Sequence, residues 1–329
     1  MNGNSDIKQD ELARANNIIN SILNYYKQRI VGQEELGQSL LMALMANGHI
    51  LLESVPGLAK TTAAKIITNA VSGDFSRIQC TPDLLPSDII GGQIFNYSTS
   101  SFETKLGPVF ANFVLLDEIN RSSAKTQSAM LEAMQERQTT IGGFVYKMPK
   151  VFIVIATQNP VEQEGTYALA EAQMDRFLMK EVLDYPTTDE EVEVLNRLEN
   201  NVFNDNTAIL TLIDVLFLQY LTTRVYVDKN IKKYITLIVS ATRYPERFID
   251  AEYAKYITMG ASTRASIAFM ECSKANALMH GRNYVTPDDI KEIAIRILRH
   301  RITLSFAAEA NNIKVEDIIN EIMRKIPTP

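Results

Sequence analysis

The hydrophobic pattern of this chain changes character a little past its middle. In the first half, short apolar runs stand between amphipathic stretches: Ile50–Leu52, Arg77–Gln79, Phe113–Leu116, Val151–Ile155 and Phe177–Leu183. Runs that are nearly continuous, not alternating, fit strands of a parallel sheet covered on both faces. The stretches between them, Thr61–Val71 and Ala124–Glu136 among them, have helical spacing. This alternation predicts an α/β domain with right-handed crossovers. Two segments depart from it. Gly91–Pro108 is polar and turn-rich with a short Phe95/Tyr97 alternation, and Gln138–Met148 sets Thr139–Ile141 and Phe144–Tyr146 on either side of Gly142-Gly143. Both read as hairpins inserted into the α/β body.

Beyond Tyr185-Pro186 the pattern is almost wholly helical: Asp189–Glu199, Asn206–Leu221, Asn230–Thr242, Thr263–Met279 and Asp288–His300. Thr286-Pro287-Asp288-Asp289 is a helix start, with a capping hydroxyl, proline in the first turn and acids behind it. The expected organisation is an α/β core over residues 1–186, a helical linker over 187–224 and a smaller all-helical domain over 225–329.

Composition narrows the function classes. A 329-residue chain that is 46% hydrophobic has enough material for a full core. The net charge of −6 gives no overall field for nucleic acid. Cys80 and Cys272 sit in a strand-like and a helix-like context, and read as two reduced thiols in a cytoplasmic protein. No Cys/His cluster points to a metal centre. The beginning, MNGNSDIKQDELARANN, is polar, and the apolar stretch Ile209–Leu221 is interrupted by Asp214 and too short to span a bilayer, so no membrane role is expected.

Candidate chemistry gathers where strands end. SVPGLAKTT (Ser54–Thr62) has the Lys-Thr of a phosphate-binding loop but carries Ser54 and Ala59 where that pattern has glycines. Its strand–loop–helix setting would offer helix N–H groups to an anion, Lys60 to the β- and γ-phosphates and the Thr61 hydroxyl to Mg²⁺. A helix start with a capping cluster is the competing reading. In NFVLLDE, four apolar residues end in Asp117 and Glu118, suited to holding Mg²⁺ through water and to deprotonating an attacking water, or simply a solvated strand end. Asn159 ends another apolar run, either to hold a water or to initiate an Asn-Pro turn. Arg176, before the fifth strand, and Arg264, in GASTR, are suited to gripping a phosphate, or to ordinary surface pairing. The three histidines are far apart and draw no catalytic assignment.

Taken in order, GHILLESVPGLAKT, FVLLDEINRSSAKTQSAMLEAMQERQTT, VIATQNPVEQEGTYALAEAQMDRFLM and GASTRAS resemble the MoxR group of AAA+ ATPases, over roughly residues 30 to 310. The resemblance implies a P-loop core with a central parallel sheet, followed by the helical lid. It makes Pro56, Gly57, Leu58, Ala59, Lys60, Thr61 and Thr62 the ATP phosphate loop, with Thr61 and Asp117 at Mg²⁺ and Glu118 activating water. Asn159 becomes sensor 1, Arg264 sensor 2 and Arg176 an arginine finger serving the next subunit, while Val31 and Gly32 pack on adenine. It further implies a homo-oligomer, a hexameric ring, that remodels or matures a protein substrate, often one with a von Willebrand factor A domain. Two other readings stay open: a nucleotide-binding regulator with little turnover, and a DNA-handling AAA+ motor, which the acidic balance and the lysine-poor tip of the second hairpin disfavour.

Overall fold

The computed structural model describes residues 7–54, 60–160, 167–199 and 208–329. Five strands form the central sheet: β1 (Ile50–Glu53), β2 (Phe75–Gln79), β3 (Phe113–Asp117), β4 (Ile153–Gln158) and β5 (Met179–Val182). They lie in the order β5-β1-β4-β3-β2, all parallel. The apolar runs of β1, β3 and β4 are continuous because these three inner strands are buried on both faces, whereas the edge strands β2 and β5 are only partly covered. Ile50, Leu52, Phe113, Leu115, Ile153 and Ile155 face one core cluster, and Leu51, Val114, Leu116, Val154 and Ala156 face another.

Helices α1 (Gln9–Arg29), α2 (Glu34–Met45) and α3 (Lys60–Asn69) cover the first face, and α4 (Ala124–Glu136) covers the second. Ser123 starts α4 by accepting the Thr126 N–H. The helix expected over Thr61–Val71 begins at Lys60 and stops at Asn69. Val71 instead joins a two-residue strand paired with Leu210-Thr211. That pairing also moves the helix expected from Asn206: residues 200–207 are outside the described range, and α6 (Leu212–Arg224) starts where Thr211 and Asp214 cap each other. It follows α5 (Thr188–Glu199).

Both expected hairpins are present, at Gly91–Asn96 with Ser101–Leu106 and at Gln138–Ile141 with Phe144–Lys147. Gly142 and Gly143 both have positive φ, 58° and 87°, as a two-residue hairpin turn requires. The Tyr146 hydroxyl donates to Thr104 Oγ1 at 3.0 Å and joins the two hairpins.

The lid helices are α7 (Lys229–Arg243), α8 (Thr263–Met279), α9 (Pro287–Leu298) and α10 (Val315–Lys325). Their apolar faces, with Tyr234, Phe269, Ile293 and Ile318, belong to the same buried cluster as Ile50 and Leu52. Helix α9 runs beside β5, so the lid lies along that edge of the sheet. Arg301 pins it there: buried, it donates from Nε to Asp175 at 2.8 Å and from Nη2 to the Phe177 carbonyl at 2.6 Å. Removing one partner of a buried pair leaves the rest unsatisfied, so Arg301→Ala should cost about 3 kcal/mol. A thermal melt that moves by less than a degree would contradict this. Both cysteines are buried and free, and burial pushes the Cys80 thiol up to about 12.

Candidate active site

Parallel strands deliver their last residues to one edge, and there the sequence places its acids. Leu116 of β3 is paired with Ala156 of β4, which brings Thr157 beside Asp117. The Thr157 hydroxyl donates to Asp117 Oδ1 at 2.8 Å and accepts the Glu118 N–H at 2.9 Å. Thr61, in the first turn of α3, donates its hydroxyl to the other oxygen, Oδ2, at 3.3 Å. Arg77, on the edge strand β2, donates to that same Oδ2 from Nη2 at 2.5 Å and from Nε at 3.1 Å. Burial alone would raise the Asp117 pKa, but the hydrogen bonds from Arg77 and Thr157 and the charge of Arg77 outweigh it, and the carboxyl titrates below its usual range.

Glu118 has φ 58°, a left-handed conformation that is uncommon outside glycine and that gathers at functional sites. It turns the side chain off the strand line. There Gln79 Nε2 and Arg121 Nη1 donate to its Oε2 at 3.0 and 3.1 Å. Asn159 follows β4 and is buried, with its carbonyl accepting from Asn120 Nδ2 at 3.3 Å. The structure therefore brings Thr61, Asp117, Glu118 and Asn159 to one sheet edge. Thr157, Arg77 and Gln79 belong to the same cluster. Sequence reading missed them because partners about 40 positions apart meet only through strand order.

A cavity of about 440 Å³ opens on this edge beside Gly32, Leu36, Val182 and Leu183. Glu53 of β1 is the register partner of Val182, so Gly32, which lines the cavity with Val182, and Val31 next to it in the chain stand on the side of the sheet where β1 ends. The expected loop residues Pro56, Gly57, Leu58 and Ala59 lie outside the described residues, as does the side chain of Lys60. The Thr62 position, described, is in the first turn of α3.

The oxygen set at Thr61 and Asp117 fits Mg²⁺, a hard cation usually held by one or two protein oxygens together with substrate phosphates. Among the described residues no group of three or more His, Cys, Asp or Glu is arranged to hold a metal by itself.

Arg176 and Arg264 are elsewhere. Both line a cavity of about 210 Å³ with Asn47, His49, Arg137 and Arg301, just before β1 and β5 begin. This is the opposite edge of the sheet from Asp117. A strand of four or five residues at about 3.3 Å each separates the edges by roughly 15 Å. Asp175 organises the arginine edge, accepting from Arg301, from the Ser262 hydroxyl at 2.7 Å and from Arg264 Nη1 at 3.4 Å. Arg176 Nε is buried with no hydrogen-bond partner among the described residues. His49 behind it is neutral: burial, with the nearby Arg137 charge, drops its pKa to about 3, and it accepts the Val154 N–H at 3.0 Å.

Comparison with known proteins gives the family and the fold. Residues 49–179 match the sequence model of the ATPase family associated with various cellular activities (AAA), and residues 250–322 match the AAA lid domain. The chain is 45% identical to Chaperone MoxR1 of Mycobacterium tuberculosis, covering 92% of this chain and 80% of that protein. It is 42% identical to YeaC of Bacillus subtilis over 95% of each. A crystal structure of a protein from Cytophaga hutchinsonii superposes with a TM-score of 0.89 at 46% identity, over 98% of both chains.

Proposed function

The chain belongs to the MoxR family of AAA+ ATPases, and from that premise we propose that it hydrolyses ATP at a site shared between neighbouring copies, to remodel or mature a partner protein. One observation carries the shared site: the carboxylates and the arginines of a single chain stand on opposite edges of its sheet. A head-to-tail contact sets the arginine edge of one copy against the carboxylate edge of the next, and such heterologous contacts close into rings. A hexamer is the ring we propose.

In this reading Val31 and Gly32 pack on adenine, and Pro56 to Thr62 wrap the phosphates with Lys60 as the cation. Mg²⁺, held by Thr61 and through water by Asp117, would neutralise charge on the β- and γ-phosphates. Asn159 orients the attacking water and Glu118 takes its proton. Arg176 and Arg264 of the adjoining copy stabilise the charge that builds on the γ-phosphate. The division into core (1–186), linker (187–224) and lid (225–329) belongs to the same proposal, as does a cytoplasmic setting. Among the described residues no helix is long and apolar enough to cross a membrane.

The joined hairpins support a protein substrate over nucleic acid. Phe95 stacks edge-on with Tyr97 and Phe102 at 5.1 and 5.3 Å between centroids, and all three are exposed. Exposed aromatics of this kind mark protein contacts. A von Willebrand factor A domain is the partner class we would try first.

A mixing experiment tests the shared site. Glu118→Gln and Arg176→Ala should each be inactive alone. Mixed in equal amounts they should recover a substantial share of the unmutated rate, because some seams pair an intact Glu118 with an intact Arg176. A mixture no faster than its components would end the shared-site reading.

A further inference from the structure

We propose that Arg77 is a positioning residue that stands in for the metal: it holds the metal-facing oxygen of Asp117 while the site is empty and leaves when Mg²⁺ arrives with ATP. The inference rests on the ATPase reading above. Asp117 has two oxygens with different duties. Oδ1 is taken by the Thr157 hydroxyl at 2.8 Å, in the interior beside the strand. Oδ2 receives the Thr61 hydroxyl, which marks the side where a cation bound by both residues would sit. Arg77 places both Nε and Nη2 on that same Oδ2. Oδ2 already accepts from Thr61 and from two nitrogens of Arg77, which leaves no place for the water through which Asp117 would hold a metal ion, so the two-nitrogen grip and the metal exclude each other.

The two partners differ in freedom. The Asp117 side chain is 10% exposed and fixed from behind, whereas that of Arg77 is 45% exposed and comes from the edge strand β2. Arg77 is therefore the one that moves. Its exit has a landing partner: Nη2 already donates to Gln79 Oε1 at 3.0 Å.

Two effects with opposite signs follow. Without metal, Arg77 neutralises Asp117, so phosphates approach a paired carboxylate and not a bare anion. With metal, Arg77 must be displaced, which raises the Mg²⁺ concentration required. Removing the guanidinium should weaken metal-free ATP binding and at the same time make the site more sensitive to Mg²⁺.

The experiment is a titration of full-length protein with a fluorescent ATP analogue, in EDTA and across a Mg²⁺ series, for the unmutated chain, Arg77→Gln and Arg77→Lys. Arg77→Gln should bind the analogue about threefold to tenfold more weakly in EDTA. Its Mg²⁺ midpoint should fall by a similar factor. Arg77→Lys keeps the charge without the two-nitrogen grip, and should restore EDTA binding while leaving the midpoint low. Unchanged binding in Arg77→Gln, or a loss of the same size with and without Mg²⁺, would overturn the proposal and leave the ATPase reading intact. An unmutated chain that binds the analogue under neither condition would overturn both.

Discussion

Arg176→Ala is expected to lower the ATP turnover rate on the order of a thousandfold, the low end of what a transferred arginine contributes to phosphoryl transfer. The size follows from the place of the charge. A guanidinium brought against the γ-phosphate from a neighbouring copy acts where water is excluded and charge is developing, so its field is little screened. The substitution should do little to the isolated fold. Arg176 Nε has no hydrogen-bond partner among the described residues, and Asp175 beside it is already satisfied by Arg301, Ser262 and Arg264. The measurement is steady-state ATPase rate against protein concentration, with a thermal melt as control. The unmutated specific rate should climb with concentration as copies meet. The variant should stay near zero throughout, with nucleotide binding and melting temperature retained. A rate independent of concentration and untouched by the substitution would mean that each chain works alone.

Glu118→Gln should reduce turnover by roughly a hundredfold or more, within the range for removal of a positioned base. Nucleotide binding should stay within a few-fold of the unmutated protein. The amide keeps an oxygen for Arg121 and nearly the same volume, so the local geometry has reason to persist. What it cannot do is accept a proton. The left-handed backbone at this position comes from the turn into Ile119–Arg121, not from the carboxylate, so the side chain should still point off the strand. The check is single-turnover hydrolysis beside a binding titration. Turnover retained to within threefold would remove Glu118 from the base role. Binding lost together with turnover would mean that the carboxylate holds the site together and is not its base.

Much of the fold was legible in the chain itself. Ile50–Leu52 and Phe113–Leu116 are apolar without alternation because helices cover both faces of the sheet, and that physical cause acts on every residue of the run. Thr61, Asp117 and Glu118 were legible because each lies where an apolar strand passes into a turn or a helix begins. Arg77 was not. It reads as a polar interruption at the start of a short strand, and it gains meaning only when β2 is laid beside β3, which no local rule dictates. Arg264 stands out in the sequence as a charge at a helix start, but its edge of the sheet was not legible. That edge is set by the lid docking along β5, through Arg301 at one end and through Arg296, which pairs with Glu181 at 3.0 Å, farther along. The start of α6 was in the sequence all along, in the Thr211 and Asp214 spacing, and the apolar residues upstream of it obscured that signal.

The apolar cluster that passes unbroken from the sheet into the lid has a mechanical consequence. A molecule with a waist of solvent or of polar contacts between its parts can fold at that waist like a jackknife. Here the two parts share Ile50, Leu52, Phe269 and Ile318 in one continuous interior, which close packing makes stiff. In the proposed ring the give then belongs at the outer seams, where one copy meets the next, and in the exposed hairpin of Gly91–Asn96 and Ser101–Leu106. Work extracted from ATP would be felt as whole rigid bodies shifting against each other, like staves in a barrel.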